Sequence, residues 1–162
     1  MHITFAPRGI LQIDDARIVY RNFSGVGSKF NRDGDRNFSV VIDSQEIANR
    51  LAEDGWNIKV KPPREEGEEP FITLPVKIKF NDRGPKVYLK TGEILNELDE
   101  ESIGCLDNVD IIGVDMDIRP YDWEVNGKMG RTAYLHAICV SQEIDRFADR
   151  DRYSDIGHNP QY

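Results

Sequence analysis

The sequence predicts a mainly β fold, a barrel or sandwich of seven or eight short strands carrying one α-helix. Three observations lead there. Apolar residues recur with period two in short segments, Gly-, Pro-, Asn- and Asp-rich turns separate those segments, and a single stretch shows capped helical spacing. The 162 residues, 39% hydrophobic and 31% charged, fit one domain with a true core and a well-solvated surface.

Ala16 to Phe23 (ARIVYRNF) is β-branched and aromatic and reads as the first strand. The glycine-rich stretch Ser24 to Asp35 reads as a loop, and Asn37 to Ile42 as the hairpin partner of the first strand. Ser44 to Asp54 is the expected helix, with Asp43 as N-cap and Glu46 completing a capping box. Ile47, Ala48, Leu51 and Ala52 share one face, and Gly55 stands at C′.

A short strand is expected over Trp56 to Val60, followed by a mobile, acid- and proline-rich excursion over Lys61 to Pro70. Phe71 to Phe80 and Lys86 to Lys90 read as two strands of one hairpin, turning at Asn81-Asp82-Arg83-Gly84-Pro85. Glu93 to Gly104 is too acidic for a core element and suits a helical turn. Val109 to Arg119, Trp123 to Val125 and Thr132 to Ser141 complete the strands, with a turn at Asn126-Gly127. The expected domain spans residues 1–142, and a polar, flexible tail follows over 143–162.

Alternation also nominates a binding face. In Val76-Lys77-Ile78-Lys79-Phe80 the lysines oppose the apolar residues, and in Lys86-Val87-Tyr88-Leu89-Lys90 Val87 and Leu89 face the core. If the two segments pair, Lys77, Lys79, Lys86 and Lys90 surround Tyr88, and Arg83 extends the patch from the turn. Cations that track phosphates, interleaved with rings that stack on unpaired bases, are what single-stranded nucleic acid requires. The wet face of an ordinary hairpin explains the lysines as well, and the tyrosine less readily. Arg21 on the first strand, with Lys29 and Phe30 on the following loop, adds cations and a ring. Gly25-Val26-Gly27 lacks the βαβ context of a dinucleotide site. The net charge of −8 does not oppose phosphate binding, because local clustering decides it.

Enzymatic readings are weaker. Asp115 and Asp117, with Asp107 and Asp110 before them, could hold Mg²⁺ in a nuclease, but a solvated acidic edge explains them more simply. No acyl-transfer motif is present, and scattered His2, His136 and His158 with isolated Cys105 and Cys139 do not make a zinc site. No cofactor, metal or catalytic residue is expected. The two cysteines read as free thiols, Cys139 as a small buried one. The opening MHITFAPRGILQ lacks signal-peptide character and no apolar run is long enough to span a bilayer, so a cytoplasmic protein without a membrane partner is expected.

Ile118 to Leu135 (IRPYDWEVNGKMGRTAYL) resembles the C-terminal hairpin of tailed-phage single-stranded-DNA-binding proteins, and NFSG…FN…GDRNFSVVI resembles their first hairpin. Together these segments touch about a third of the chain. The resemblance implies an OB-like barrel that coats exposed DNA in phage replication or recombination, in the host cytoplasm, with assembly into a homo-oligomer left open. It places Tyr121, Trp123 and Tyr134 near the strand. It also implies an acidic tail that recruits replication or recombination proteins. Here DRFADRDRYSDIGHNPQY balances acids with arginines, leaving Asp149, Asp151 and Asp155 for that role. The competing reading is a phage structural or protein-interaction β-sandwich, whose apolar interface would resist salt where phosphate binding would not.

Overall fold

Alternating apolar residues on many short segments can be buried together only if the strands share one inner face. The computed structural model, which describes residues 1–143, shows them doing so. Its ten strands are β1 (His2–Phe5), β2 (Leu11–Ala16), β3 (Ile18–Asn22), β4 (Arg36–Val41), β5 (Lys59–Lys61), β6 (Phe71–Ile78), β7 (Lys86–Thr91), β8 (Ile94–Leu98), β9 (Ile111–Val125) and β10 (Lys128–Gln142). They form one sheet ordered β1-β2-β9-β10-β6-β4-β3, with β5 on β6 and the β7–β8 pair on β10.

Leu11 and Ile13, Val114 and Ile118, Leu135 and Val140, Leu74 and Val76, and Phe38 and Val40 meet in a single buried cluster. This is the mainly β, OB-like architecture with one helix that the sequence predicts. Its sheet is open, with β1 and β3 at the ends of the strand order, where a closed barrel was expected, and it is built from ten strands rather than seven or eight. The difference in number has identifiable sources. β1, β2 and β8 escaped notice, while the two expected segments before Val125 are one continuous strand, β9.

The helix α1 covers Gln45–Glu53, burying Ala48 and Leu51. Its N-cap is Ser44 rather than Asp43. The Ser44 hydroxyl oxygen accepts from the Ile47 amide at 3.3 Å, while the Asp43 carboxylate faces the N-terminal ammonium at 4.0 Å. Gly55 closes the helix at φ +91°, a left-handed conformation that glycine adopts freely. The expected strand at Trp56 starts later, at Lys59, because Trp56 leaves the alternation to enter the core. Among the described residues no helix is long and apolar enough to cross a membrane.

The largest correction concerns β6 and β7. They do not pair with each other; both run parallel to β10, β6 beside Ala133–Tyr134 and β7 beside Ala137–Gln142. The Asn81–Pro85 connection is therefore a loop between two strands laid end to end along the same side of β10. The partner of β7 is instead β8, where a helical turn was expected. A 3₁₀ turn does follow at Ile103–Asp107. The β3–β4 pairing and the turn at Asn126 (φ +51°) and Gly127 (φ +81°) match expectation. On β3, however, Tyr20 at φ +54° lies in an irregularity between Val19 and Asn22, so strict alternation does not hold there. The tail from residue 144 on, with Asp149, Asp151, Asp155 and His158, lies outside the described residues.

Candidate nucleic-acid interface

Because Ile118, Ala133, Leu135 and Val76 point inward, their neighbours point out. Register then sets four outward residues from four strands side by side: Arg119 on β9, Tyr134 on β10, Lys77 on β6 and Asn37 on β4. The next pairs along the β9–β10 hairpin on this face are Tyr121 with Thr132, then Trp123 with Gly130. The outer face thus carries a file of three rings, Tyr134, Tyr121 and Trp123, running toward the hairpin tip.

Local contacts hold these rings. The Arg119 guanidinium lies 5.0 Å from the centroid of the Tyr134 ring, and Tyr121 meets Tyr134 edge-to-face at 5.9 Å. Trp123 Nε1 donates to the Thr132 hydroxyl oxygen at 3.1 Å. Its indole lies against Gly130, where an added Cβ would stand only 2.3 Å from the ring. Tyr121 is 55% exposed and Trp123 39%, so both retain a wet ring surface. On the opposite face of the hairpin Arg131 donates to Asp122 at 2.7 Å and lies over Trp56, which ties the hairpin to the body. That hydrogen bond holds the Asp122 carboxyl below the usual carboxylate range.

Lys79, just past the end of β6, lies between two depressions. One, of about 330 Å³, is also lined by Arg83, Arg119 and His136. The other, of about 460 Å³, adds Arg32, Arg36, Lys77 and Tyr134 together with Asp35 and Glu100. In the second the acids lie near the arginines, Arg32 at 3.8 Å from Asp35 and Arg36 at 3.5 Å from Glu100.

The loop between β3 and β4 is built by asparagines. Asn31 donates to the carbonyls of Val26, Arg32 and Asp35, Asn22 exchanges two hydrogen bonds with Val26, and Asn37 donates to Asn31. Its tip presents Phe30, 92% exposed, with the Lys29 ammonium 5.8 Å from the ring centroid. The same loop delivers Arg32 to the depression beside Tyr134.

The predicted basic strip is thus divided. Lys77, Lys79 and Arg83 join Tyr134 and Arg119. Lys86, Tyr88 and Lys90 share the outer face but lie further along β10, beside Ala137, Cys139 and Ser141. Tyr88 is thereby separated from Tyr134 by five β10 residues, roughly 16 Å. Its surroundings are acidic, with Asp115 across β10 and Glu97 opposite on β8, and Glu97 takes Lys86 as its partner at 3.5 Å.

Arg21 is occupied elsewhere. Its guanidinium donates to the carbonyls of Leu106 and Val109, both at 2.8 Å, and so pins the 3₁₀ turn to β3. Cys139 is half-buried on the outer face rather than in the core; burial, then Asp115, pushes its thiol pKa up.

The aspartates have structural partners as well. Asp107 accepts from the amides of Phe23 and Ser24 and from the Ser24 hydroxyl, and Asp115 accepts from the Asp15 amide. Among the described residues no three His, Cys, Asp or Glu side chains gather as a metal site.

Arg119 and His136 are the residues that sequence reasoning missed. Arg119 was legible, since Arg119, Tyr121 and Trp123 alternate on one strand. His136 was not, because it is the extra residue of an irregularity between Leu135 and Ala137.

A family model described as "Putative phage ssDNA-binding domain" matches residues 3–161. In fold the chain is similar to a single-stranded DNA-binding protein from bacteriophage Enc34 in complex with ssDNA. The TM-score is 0.54 at 15% identity, covering 90% of this chain and 93% of that one. A C-terminal truncation of the Enc34 protein gives a TM-score of 0.53 at 15% identity, covering 87% and 90%. No curated protein matches the sequence.

Proposed function

The chain belongs to the phage single-stranded-DNA-binding domain family, and from that premise we propose that it coats exposed single strands without reading their sequence. The observation that carries the reading is the outward row Arg119–Tyr134–Lys77, continued by Tyr121 and Trp123. Rings and cations alternate there on a chain whose net charge is −8.

The division of labour follows from chemistry. Lys77, Lys79, Arg83 and Arg119 meet phosphates, a sequence-independent and salt-sensitive attraction. Tyr134, Tyr121 and Trp123 offer faces to unpaired bases, worth about 1–3 kcal/mol for each stacked base. Every base has such a face, so no sequence is preferred, whereas bases stacked inside a duplex cannot reach the rings. Phe30 and Lys29 at the tip of the β3–β4 loop extend the surface over the strand. Lys86, Tyr88 and Lys90 form a secondary stretch weakened by Asp115 and Glu97. Binding and protection of strands in phage replication or recombination is the role that fits, with no bond made or broken. In this reading the strand-binding surface is carried by the strands up to β10, and the polar residues that follow it serve protein partners.

Fluorescence anisotropy of a labelled oligo-dT of about 30 nucleotides, at two salt concentrations with duplex competitor, tests the reading. Tight binding that weakens with salt and resists duplex competition is expected. No binding at low salt refutes it.

A further inference from the structure

The depression of about 330 Å³ where the end of β6, the Asn81–Pro85 loop, β9 and β10 meet has an unusual electrostatic character. Lys79, Arg83, Arg119 and His136 line it, and no carboxylate does. Asp82 on the same loop and Asp117 beside Ala137 are the acids nearest in sequence and register, and neither reaches the lining. Among the described residues Arg32, Arg36, Arg131 and Lys86 each face an acid, whereas Lys79, Arg83 and Arg119 form no ion pair. Like charges gathered in one concavity repel, and an anion relieves that repulsion.

The backbone aims these groups. An irregularity between Leu135 and Ala137 takes His136 out of the strand's alternation, as bulges do when they redirect a side chain. Asn81 and Gly84 exchange backbone hydrogen bonds at 2.9 and 3.1 Å, and the Asn81 side-chain oxygen accepts from the Arg83 amide at 2.9 Å. The loop that presents Arg83 is thereby closed on itself. Arg119 is held against the Tyr134 ring, so the depression opens beside the stacking row.

We propose that this depression is a phosphate seat, binding one phosphate group of the strand, either a phosphodiester within it or a monoester at its end. Two guanidinium forks, an ammonium and an imidazole suit the several oxygens of one phosphate better than a planar carboxylate. The neighbouring depression has its own acids, so the seat is where a phosphate meets the least compensated charge. A phosphate held there sets the register that brings the adjoining base over Tyr134. The seat rests on the strand-binding reading for its natural ligand, but its chemistry can be probed without a long strand.

The probes are thymidine, the dinucleoside monophosphate TpT and thymidine 5′-monophosphate. The readout is the imidazole NMR signals of His136 in the full chain, assigned with His136→Gln. The expected result is a saturable shift with TpT, none with thymidine, and its loss in Lys79→Gln/Arg83→Gln. A shift with the monophosphate but not TpT keeps the seat and assigns it to strand ends. In parallel, the double variant should lose about 0.7 from the magnitude of the log Kd–log salt slope on oligo-dT for each phosphate contact removed. Absence of any shift with both phosphate probes overturns the seat, even if oligo-dT binds tightly. A phosphate-dependent shift without oligo-dT binding would leave the seat standing and refute the strand-binding reading.

Discussion

Gly130→Ala isolates the mechanical setting of Trp123 from its chemistry. Gly130 does not have a positive φ, so alanine suits the backbone; the conflict lies with the indole. The new methyl carbon would stand 2.3, 2.6 and 3.0 Å from three indole atoms. Carbon contacts settle at about 3.5–4.0 Å, so the ring must withdraw by at least about 1.2 Å. That movement stretches the 3.1 Å hydrogen bond from Nε1 to Thr132 beyond its useful range, at a cost of about 0.5–1.5 kcal/mol. It also displaces the ring from the file it forms with Tyr121 and Tyr134 on the outer face.

If Trp123 stacks on a base, most of that stacking energy is lost with it. The expected outcome is a loss of about 1–2 kcal/mol, or roughly 5- to 30-fold in Kd for oligo-dT, with Trp123→Ala at least as large. Tryptophan emission gives a second readout, because Trp56, the other tryptophan, is 4% exposed and contributes a constant buried signal. A red shift should accompany the weaker binding. Unchanged emission together with a Kd within about twofold of the parent would refute the argument that Gly130 sets the ring.

Three further outcomes follow from the same geometry. Tyr134→Ala should cost about 1–3 kcal/mol of oligo-dT affinity, whereas Tyr88→Ala, in its acidic surroundings, should change Kd by less than about twofold; anisotropy decides between them. Arg21→Ala should lower stability by about 1.5–3 kcal/mol through loss of two hydrogen bonds from a charged donor, read from the urea midpoint, with oligo-dT affinity unchanged. Asp122→Asn should flatten the acid limb of stability against pH. The hydrogen bond from Arg131 holds the folded carboxyl pKa below its unfolded value. Its stabilisation is therefore present above the unfolded value and lost as pH falls through the folded one, which urea midpoints from about pH 6 down to pH 3 would follow.

Much of the site was legible as composition and very little of it as geometry. Lys77 and Lys79 were singled out because alternation is a local property, and each segment carries its own record of which side chains oppose the apolar ones. Arg83 followed from its place at the expected turn, and Tyr121 and Trp123 from the resemblance carried by their hairpin. The same locality misassigned the Lys86–Lys90 segment. Two amphipathic strands separated by Asn-Asp-Arg-Gly-Pro look like a hairpin, and nothing within them reports that β10, more than forty residues later, takes both as parallel neighbours. The structural role of Arg21 was hidden for a related reason. A cation on an outward-looking strand position has no local sign that two carbonyls from Leu106 and Val109 await it.

The sequence by itself determined the class of the fold, the helix and the Asn126-Gly127 turn. Each of these depends on residues a few positions apart. Only the tertiary structure decided that Arg119, Tyr134 and Lys77 stand in one row and that Lys79, Arg83, Arg119 and His136 share one depression. Those neighbours come from strands and loops far apart in the chain. Inter-strand hydrogen bonds and the burial of a common core choose which strands lie side by side, and backbone pairing carries almost no mark of side-chain identity.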